Sequence, residues 1–225
     1  MRYNFRQADF LTMLDKIGME RQDNDWPRSL RDPNERDRRR LMLTLPHMAP
    51  LVEYTAELRK RDNVEVTEFD PLDGGVDAQV LFLFEKPGPM TAVAGKRAGS
   101  GFISRNNDDP TAEATRNFMR EAGIDRKATV IWNIVPWWNG TRKIALDEIR
   151  DGVASFIALR ARLSKLSAVV MVGNQAARLQ PYLTTTGLEL FRSCHPGPLV
   201  RARYRSKWEA IPSEWAPVLD FVRSA

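Results

Sequence analysis

The sequence predicts an α/β fold built around a central four-stranded parallel sheet and preceded by a helical N-terminal extension. From residue 79 onward, short apolar runs bounded by glycine or proline alternate with helix-like stretches, which is typical of a parallel sheet covered by helices. Before about residue 70 the chain is highly charged and has helical periodicity. We therefore expect an extension over residues 1–70, packed on a core domain over residues 71–225.

The extension is predicted to begin with an amphipathic helix. The apolar residues that fall near one face of it are Phe5, Phe10, Leu11, Leu14 and Ile17. The run RDPNERDRRR, residues 31–40, is expected to be a solvated, partly ordered segment that leads into a second helix. A contact with nucleic acid is the alternative for this run.

The core domain contains four predicted strands. They are Gln79–Phe84, Thr129–Val135, Ala168–Gly173 and Leu188–Ser193. Helices are predicted to begin near Asp109, where aspartate caps and proline takes the first turn, and to span Leu146–Leu163 and Asn174–Leu179. Ligands of open parallel sheets gather outside the carboxyl ends of the strands, so the loops after these strands are the expected place of a site.

Composition narrows the function classes. The chain has 225 residues, 43% of them hydrophobic, which is enough for a real core. Cys194 is the single cysteine and there are two histidines, so an intramolecular disulfide or a four-cysteine site is excluded, and we expect no metal and no cofactor. The charge of +5 and the pI near 9.5 favour a polyanionic partner, with nucleic acid ahead of a membrane surface or an acidic protein.

The apolar runs, such as Ala168–Val172, are too short to cross a bilayer, and the first ten residues lack the apolar core of a signal peptide. We therefore expect no membrane association and a cytoplasmic location, with the nucleoid as the site of action if the protein is bacterial.

Three of the four strands are followed by a loop that combines proline with a polar residue. These loops read EKPGP, NIVPWWNG and CHPGPL, whereas the third strand is followed by GNQAA. Proline restricts the backbone and can hold neighbouring side chains over the edge of the sheet.

These loops resemble the motifs of the uracil-DNA glycosylase superfamily. Phe84–Gly88 stands where the family writes G-x-D-P-Y, G-I-N-P-G or G-E-A-P-G, and His195–Leu199 stands where it writes H-P-S-P-L. Between them, Phe102 matches the aromatic residue that stacks on the flipped base, and Asn133 matches the asparagine that reads the base edge. The resemblance covers most of residues 79–205 and implies a three-layer α/β/α sandwich.

The chain also departs from the family pattern. Phe84 replaces the first glycine of motif one, Lys86 stands where two branches have aspartate or asparagine, and Gly197 replaces serine. Glu85 matches the glutamate of the G-E-A-P-G branch, which carries an iron-sulfur cluster on four cysteines. A single cysteine cannot hold that cluster, so the chain is interpreted as a divergent member without it.

The resemblance implies that the motif residues bind and act on a base that has been rotated out of the DNA stack. His195 would donate a hydrogen bond to uracil O2, and Glu85 would orient or deprotonate the attacking water. Phe102 would supply a stacking face, and the Asn133 amide would pair with the O4 and N3–H edge of uracil. Pro87 and Gly88 would line the base pocket, and glycine at 88, where one branch has tyrosine, would leave space for substituents at C5.

The remaining motif residues are expected to contact DNA. Leu199 would enter the space left by the flipped base. Arg201, Arg203 and Arg205 are spaced by two, so an extended segment would present them as one row to phosphates. Lys86 is expected to hold a phosphate, with attack on the sugar carbon as the alternative.

The resemblance therefore implies a monofunctional glycosylase that removes uracil from DNA and leaves an abasic site. Its partners would be DNA containing uracil or abasic sites, with free uracil as product, and we expect a monomer. Two alternatives stay open from the sequence: a damage-binding module without turnover, and a general nucleic-acid or anion binder that shares only the sheet.

Overall fold

The computed structural model describes residues 25–88, 91 and 99–223. The strands are β1 (Glu68–Phe69), β2 (Val80–Phe84), β3 (Phe102–Ile103), β4 (Thr129–Asn133), β5 (Ala168–Val172) and β6 (Glu189–Ser193). The α-helices are α1 (Pro33–Met42), α2 (Ala49–Leu58), α3 (Pro110–Glu121), α4 (Leu146–Arg160), α5 (Gln180–Leu183), α6 (Pro198–Arg203), α7 (Arg205–Glu209), α8 (Ile211–Trp215) and α9 (Leu219–Arg223). Short 3-10 turns lie at Ser29–Arg31, Gly75–Asp77, Arg126–Ala128, Ala176–Leu179 and Ala216–Val218.

The four predicted strands are confirmed and form one parallel sheet in the order β4-β2-β5-β6. Apolar residues fill β2, β4 and β5 almost without interruption, because both faces of a parallel sheet are covered. Since all neighbours are parallel, the four strands end at the same edge. The loops that follow Phe84, Asn133 and Ser193 are thereby brought together.

Helices cover both faces of this sheet, which confirms the three-layer architecture. Trp132 of β4 has its ring centroid 6.1 Å from that of Tyr54 in α2, and the Tyr54 hydroxyl donates to the Ser155 carbonyl of α4. On the opposite face, the ring of Phe82 in β2 meets Trp215 of α8 edge-on at 4.9 Å. The core therefore lies in two layers, one on each side of the sheet.

The predicted helix starts and ends need small adjustments. Helix α3 begins as expected, because the Asp109 carboxylate accepts hydrogen bonds from the Thr111 and Ala112 amides and Pro110 occupies the first turn. Helix α4 ends at Arg160 rather than at residue 163, and the helix expected over residues 174–179 is a 3-10 turn.

The segment 31–40 was expected to be solvated and partly ordered. Six of its ten residues are exposed, as expected, but most of it is helical and it contains two buried charges. Residues 33–40 belong to α1, within which Arg39 is 0% exposed and Glu35 is 4% exposed. Arg39 pairs with Glu35 and with the Asp70 carboxylate, which is also fully buried. Asp70 lies 31 positions from Arg39, and nothing in the sequence around Arg39 indicates this buried partner.

Two features join the extension to the core. Met48, Leu51 and Tyr54 belong to the same hydrophobic cluster as the sheet. In addition, β1 pairs with β3 in a short parallel sheet that the sequence did not indicate. The amphipathic helix predicted over residues 5–17 lies outside the described residues. Among the residues that are described, no helix has the length and apolar character needed to span a membrane.

Candidate active site

A cavity of about 630 Å³ opens at the carboxyl edge of the sheet. The loops after β2, β4 and β6 and the start of α3 form its walls. The residues that line it are Phe84, Glu85, Lys86, Pro87, Gly88, Thr91, Ile103, Ser104, Arg105, Asn107, Asp109, Pro110, Thr111, Ala112, Thr115, Ile131, Asn133, Arg142, His195, Gly197, Pro198, Leu199 and Val200. Its volume falls within the usual range of small-ligand sites.

Asn133, the last residue of β4, lies on the wall of this cavity and is 6% exposed. Its side-chain oxygen Oδ1 is fully buried and has no hydrogen-bond partner among the described residues. A buried acceptor left unpaired costs about 1–3 kcal/mol. The amide is therefore a group that a ligand donor can satisfy.

His195 follows β6, and its hydrogen bonds indicate which ring nitrogen carries the proton. The Gly197 amide donates to Nδ1 at 3.0 Å, so Nδ1 is an acceptor and the proton of the neutral ring lies on Nε2. Burial lowers the pKa of His195 to about 4, which keeps the ring neutral at physiological pH. Nε2–H is thus available as a neutral hydrogen-bond donor.

Glu85 follows β2 and lies beside His195. Burial raises the pKa of its carboxyl group, while the positive charge of Arg142 acts in the opposite direction. A Cβ atom built on Gly173 would lie 3.2 Å from His195 Cβ and 3.5 Å from Glu85 Oε1, so the two side chains flank the same glycine. The cavity therefore combines a carboxylate, a neutral imidazole donor and an unpaired amide.

Gly173→Ala is expected to disturb this arrangement. Gly173 has φ +87°, so an alanine is strained by about 1–2 kcal/mol, and its Cβ would press on His195. Gly187→Ala is a matched control, because Gly187 has φ +72° and none of the described atoms lies within 4 Å of the added Cβ. Both variants should lose stability in urea through backbone strain, with the larger loss in Gly173→Ala, and only Gly173→Ala should shift the His195 ring resonances in NMR spectra. Equal spectra for the two variants would contradict the proposed contact.

Comparison with known proteins decides the family. A family model described as the uracil DNA glycosylase superfamily matches residues 73–214. The chain belongs to this superfamily.

Solved structures similar to the chain include the wild-type UNG crystal structure from Nitratifractor salsuginis and a tyrosine-to-glycine mutant of it. Each is 13% identical to the chain, with TM-scores of 0.38 and 0.39. The alignments cover 93% and 92% of this chain and 97% of each of those chains. No curated protein matches the chain.

Most of the residues that resemble the superfamily motifs line this cavity, but Phe102 does not. Pro87 and Gly88 form part of the wall, and Leu199 stands at the rim with 65% of its surface exposed. Among the described atoms, the nearest to a Cβ on Gly88 is Arg142 Nη2, at 4.0 Å. Phe102 is 1% exposed in β3, and the next residue along the chain, Ile103, contributes to the wall instead.

Lys86 was expected to hold a phosphate, but its side chain is buried against the loop after β4. Its side chain is 2% exposed, and Nζ donates to Asn139 Oδ1 at 2.7 Å, to the Lys143 carbonyl at 3.3 Å and to Glu148 Oε1 at 2.6 Å. An ammonium group has three protons, so these acceptors use all of its donors.

The expectation of an extended segment over residues 201–205 is wrong, because Arg201 and Arg203 lie on α6 and Arg205 begins α7. The Arg201 guanidinium lies 4.9 Å from the centre of the Trp208 ring, and Arg205 pairs with Glu209 at 2.8 Å. Pro198 at the first turn of α6 favours the helix. All three arginines are exposed, but they are not presented as one row.

Sequence reasoning missed several residues of the cavity wall, among them Arg142 and Thr111. Arg142 lies in the loop NGTRK after β4, and its basic charge in a strand-end loop was a usable signal. Thr111 was seen only as part of a helix start. Its hydroxyl lies 3.4 Å from where a Gly197 Cβ would be, a proximity that has no signature in the sequence.

Proposed function

We propose that the protein is a monofunctional uracil-DNA glycosylase, which rotates uracil out of DNA and hydrolyses the bond between the base and the deoxyribose. Superfamily membership supports a DNA glycosylase. The observation that supports uracil in particular is the buried, unpaired Oδ1 of Asn133 in the same cavity as the neutral His195.

The Asn133 amide suits the edge of uracil. Its Nδ2–H group donates to O4 and its Oδ1 accepts the N3–H proton. Cytosine presents an amino donor in place of O4 and has no proton at N3, so both halves of the amide would lose their partners. Such a mismatch in a buried site is a large penalty, which favours uracil.

Hydrolysis needs a nucleophile on the sugar side and charge stabilisation on the base side. Glu85 accepts a proton from water as the water oxygen bonds to C1′ of the sugar. The electrons of the bond from C1′ to N1 move into the base, where negative charge develops on O2. His195 Nε2–H donates a hydrogen bond to O2. After the uracil anion has left the sugar, the proton on Glu85 passes through solvent to that anion, which restores the carboxylate and gives neutral uracil.

An oligonucleotide with a single uracil tests this function. Incubation followed by alkali should cleave the strand at the position of uracil, and free uracil should be recovered. Tight binding without cleavage would support a damage-binding module instead, and no preference for the lesion would reject both.

Gly88→Tyr is expected to narrow the substrate range. Among the described residues, the nearest atom to a Cβ on Gly88 is Arg142 Nη2 at 4.0 Å, so we expect the pocket to accept 5-hydroxymethyluracil about as well as uracil. A tyrosine would fill this space and should lower excision of 5-hydroxymethyluracil about tenfold or more relative to uracil. Single-turnover rates on the two oligonucleotides measure the ratio. A wild-type protein that removes uracil alone would contradict the open pocket.

A further inference from the structure

The loop between β4 and α4 carries two neighbouring exposed cations that differ in one respect. Arg142 and Lys143 are both exposed, but only Arg142 lines the cavity. Arg142 forms no ion pair or hydrogen bond with the residues that the structure describes. It lines the same cavity as Glu85, and its charge acts to lower the pKa of that carboxyl group. Its guanidinium is therefore available to an anion at the mouth of the site.

This loop is held in place by a buried charge. Lys86 Nζ binds Asn139 Oδ1, the Lys143 carbonyl and Glu148 Oε1, as described above. Glu148 also accepts hydrogen bonds from Asn139 Nδ2 at 3.1 Å and from the Ala145 amide at 3.0 Å. Removing an ammonium group from water costs several kcal/mol, which is a high cost for fixing an ordinary surface loop.

The position of Lys86 in the chain indicates what this buried ammonium group contributes to the site. Lys86 directly follows Glu85, so the same contacts that hold the loop also fix it relative to the catalytic carboxylate. Binding groups act best when neighbouring hydrogen bonds hold them rigidly. Arg142 is thus carried on a segment whose distance from the site is set by Lys86.

The anion that best fits this location is a phosphate. A nucleotide whose base enters the cavity keeps its sugar and phosphates at the mouth, where the exposed Arg142 lies. Guanidinium groups bind phosphate through two parallel hydrogen bonds. Given the proposed function, we infer that Arg142 binds a backbone phosphate next to the flipped nucleotide and that Lys86 is the residue that positions it.

The test compares Arg142→Gln with Lys143→Gln, which removes the same charge from the same loop. The probe is a duplex with one tetrahydrofuran abasic analogue, which cannot be cleaved. Arg142→Gln should lower affinity about tenfold and flatten the slope of log affinity against log salt by about 0.9, as expected for one lost phosphate contact. Lys143→Gln should change the slope by less than half as much, and Arg142→Lys should keep most of the slope. Equal effects of Arg142→Gln and Lys143→Gln, or an unchanged slope in Arg142→Gln, would overturn the assignment.

The positioning role of Lys86 has its own readout. Lys86→Gln should flatten the salt slope by about the same amount as Arg142→Gln, and the double variant should flatten it no further. Additive changes would show that Lys86 acts independently of Arg142. Unfolding curves of each variant confirm that the folded protein is compared.

The outcome also separates this inference from the proposed function. A protein that binds the abasic duplex with the expected change in slope, but removes no uracil, would keep the phosphate contact and reject the glycosylase. Uracil excision with an unchanged slope in Arg142→Gln would do the reverse. If Arg142 instead changed only the preference between uracil and 5-carboxyuracil, its partner would be the base and the inference would fail.

Discussion

Replacing Glu85 with glutamine is expected to lower the rate of uracil excision by about 10²- to 10⁴-fold, the usual contribution of a positioned general base. Glutamine keeps the size of the side chain but cannot accept a proton from the attacking water. Affinity for DNA containing an abasic analogue should stay within about twofold, since the amide and imidazole of the site are unchanged. Single-turnover excision and equilibrium binding measure the two quantities separately.

The same substitution should change the pH profile. Burial raises the pKa of Glu85, with Arg142 opposing the shift, whereas burial lowers the pKa of His195 to about 4. As pH falls, Glu85 should therefore be protonated before His195, and excision should decline on the acid side as the base is lost. Glu85→Gln should remove this decline while leaving a low residual rate.

Glu189→Gln is the matched control, because Glu189 is an exposed glutamate at the start of β6. Its excision rate should equal that of the wild type. A Glu85→Gln protein that retains most of the wild-type rate would show that water is activated by another group, and the role proposed for Glu85 would be abandoned.

Asp70→Asn is expected to lower the free energy of unfolding by about 3–5 kcal/mol, as when one partner of a buried ion pair is lost. Asp70 is 1% exposed, and its Oδ2 accepts hydrogen bonds from Arg39, Ser104 and, at 2.6 Å, Arg126. Burial alone would raise the pKa of Asp70, but Arg126 and Arg39 hold it below its usual value. Its contribution to stability is thus present above the usual pKa of an aspartate and is lost as pH falls.

Urea unfolding at neutral pH measures this loss. Asp37→Asn is the control, since Asp37 pairs with Arg40 at 2.5 Å on the surface, with the two side chains 69% and 49% exposed. It should cost less than about 1 kcal/mol. Equal losses for Asp70→Asn and Asp37→Asn would show that the buried contacts of Asp70 add nothing to the folded state.

The sheet was predictable from the sequence because its signal is local. Continuous apolar runs ended by glycine or proline mark β2, β4 and β5 within one or two residues. The pairing of β1 with β3 was not predictable, since each strand has two residues and no periodicity can be read from so few. The buried pair of Arg39 and Asp70 is separated by 31 positions, and nothing near either residue indicates the other.

The site was partly predictable for a related reason. Glu85, Asn133 and His195 each follow a strand of one parallel sheet, and the ends of such strands meet at one edge. The environment of Lys86 was not predictable, because whether an ammonium group faces solvent or Glu148 depends on how the loop after β4 folds back. The helical form of residues 198–203 was missed because the alternation of arginines suggested a strand.

The position of β6 at the edge of the sheet implies that this strand can open locally and that Cys194 can be used to detect the opening. This strand lies at the edge and pairs only with β5 among the described strands, so it can detach while β2 and β4 stay paired. Detachment would withdraw His195 and leave Glu85 and Asn133 in place. Cys194, the single cysteine of the sequence, adjoins His195 and is partly buried, with its amide bonded to Glu214. Because this thiol is partly exposed in the folded protein, alkylation faster than that baseline would indicate opening of the edge strand.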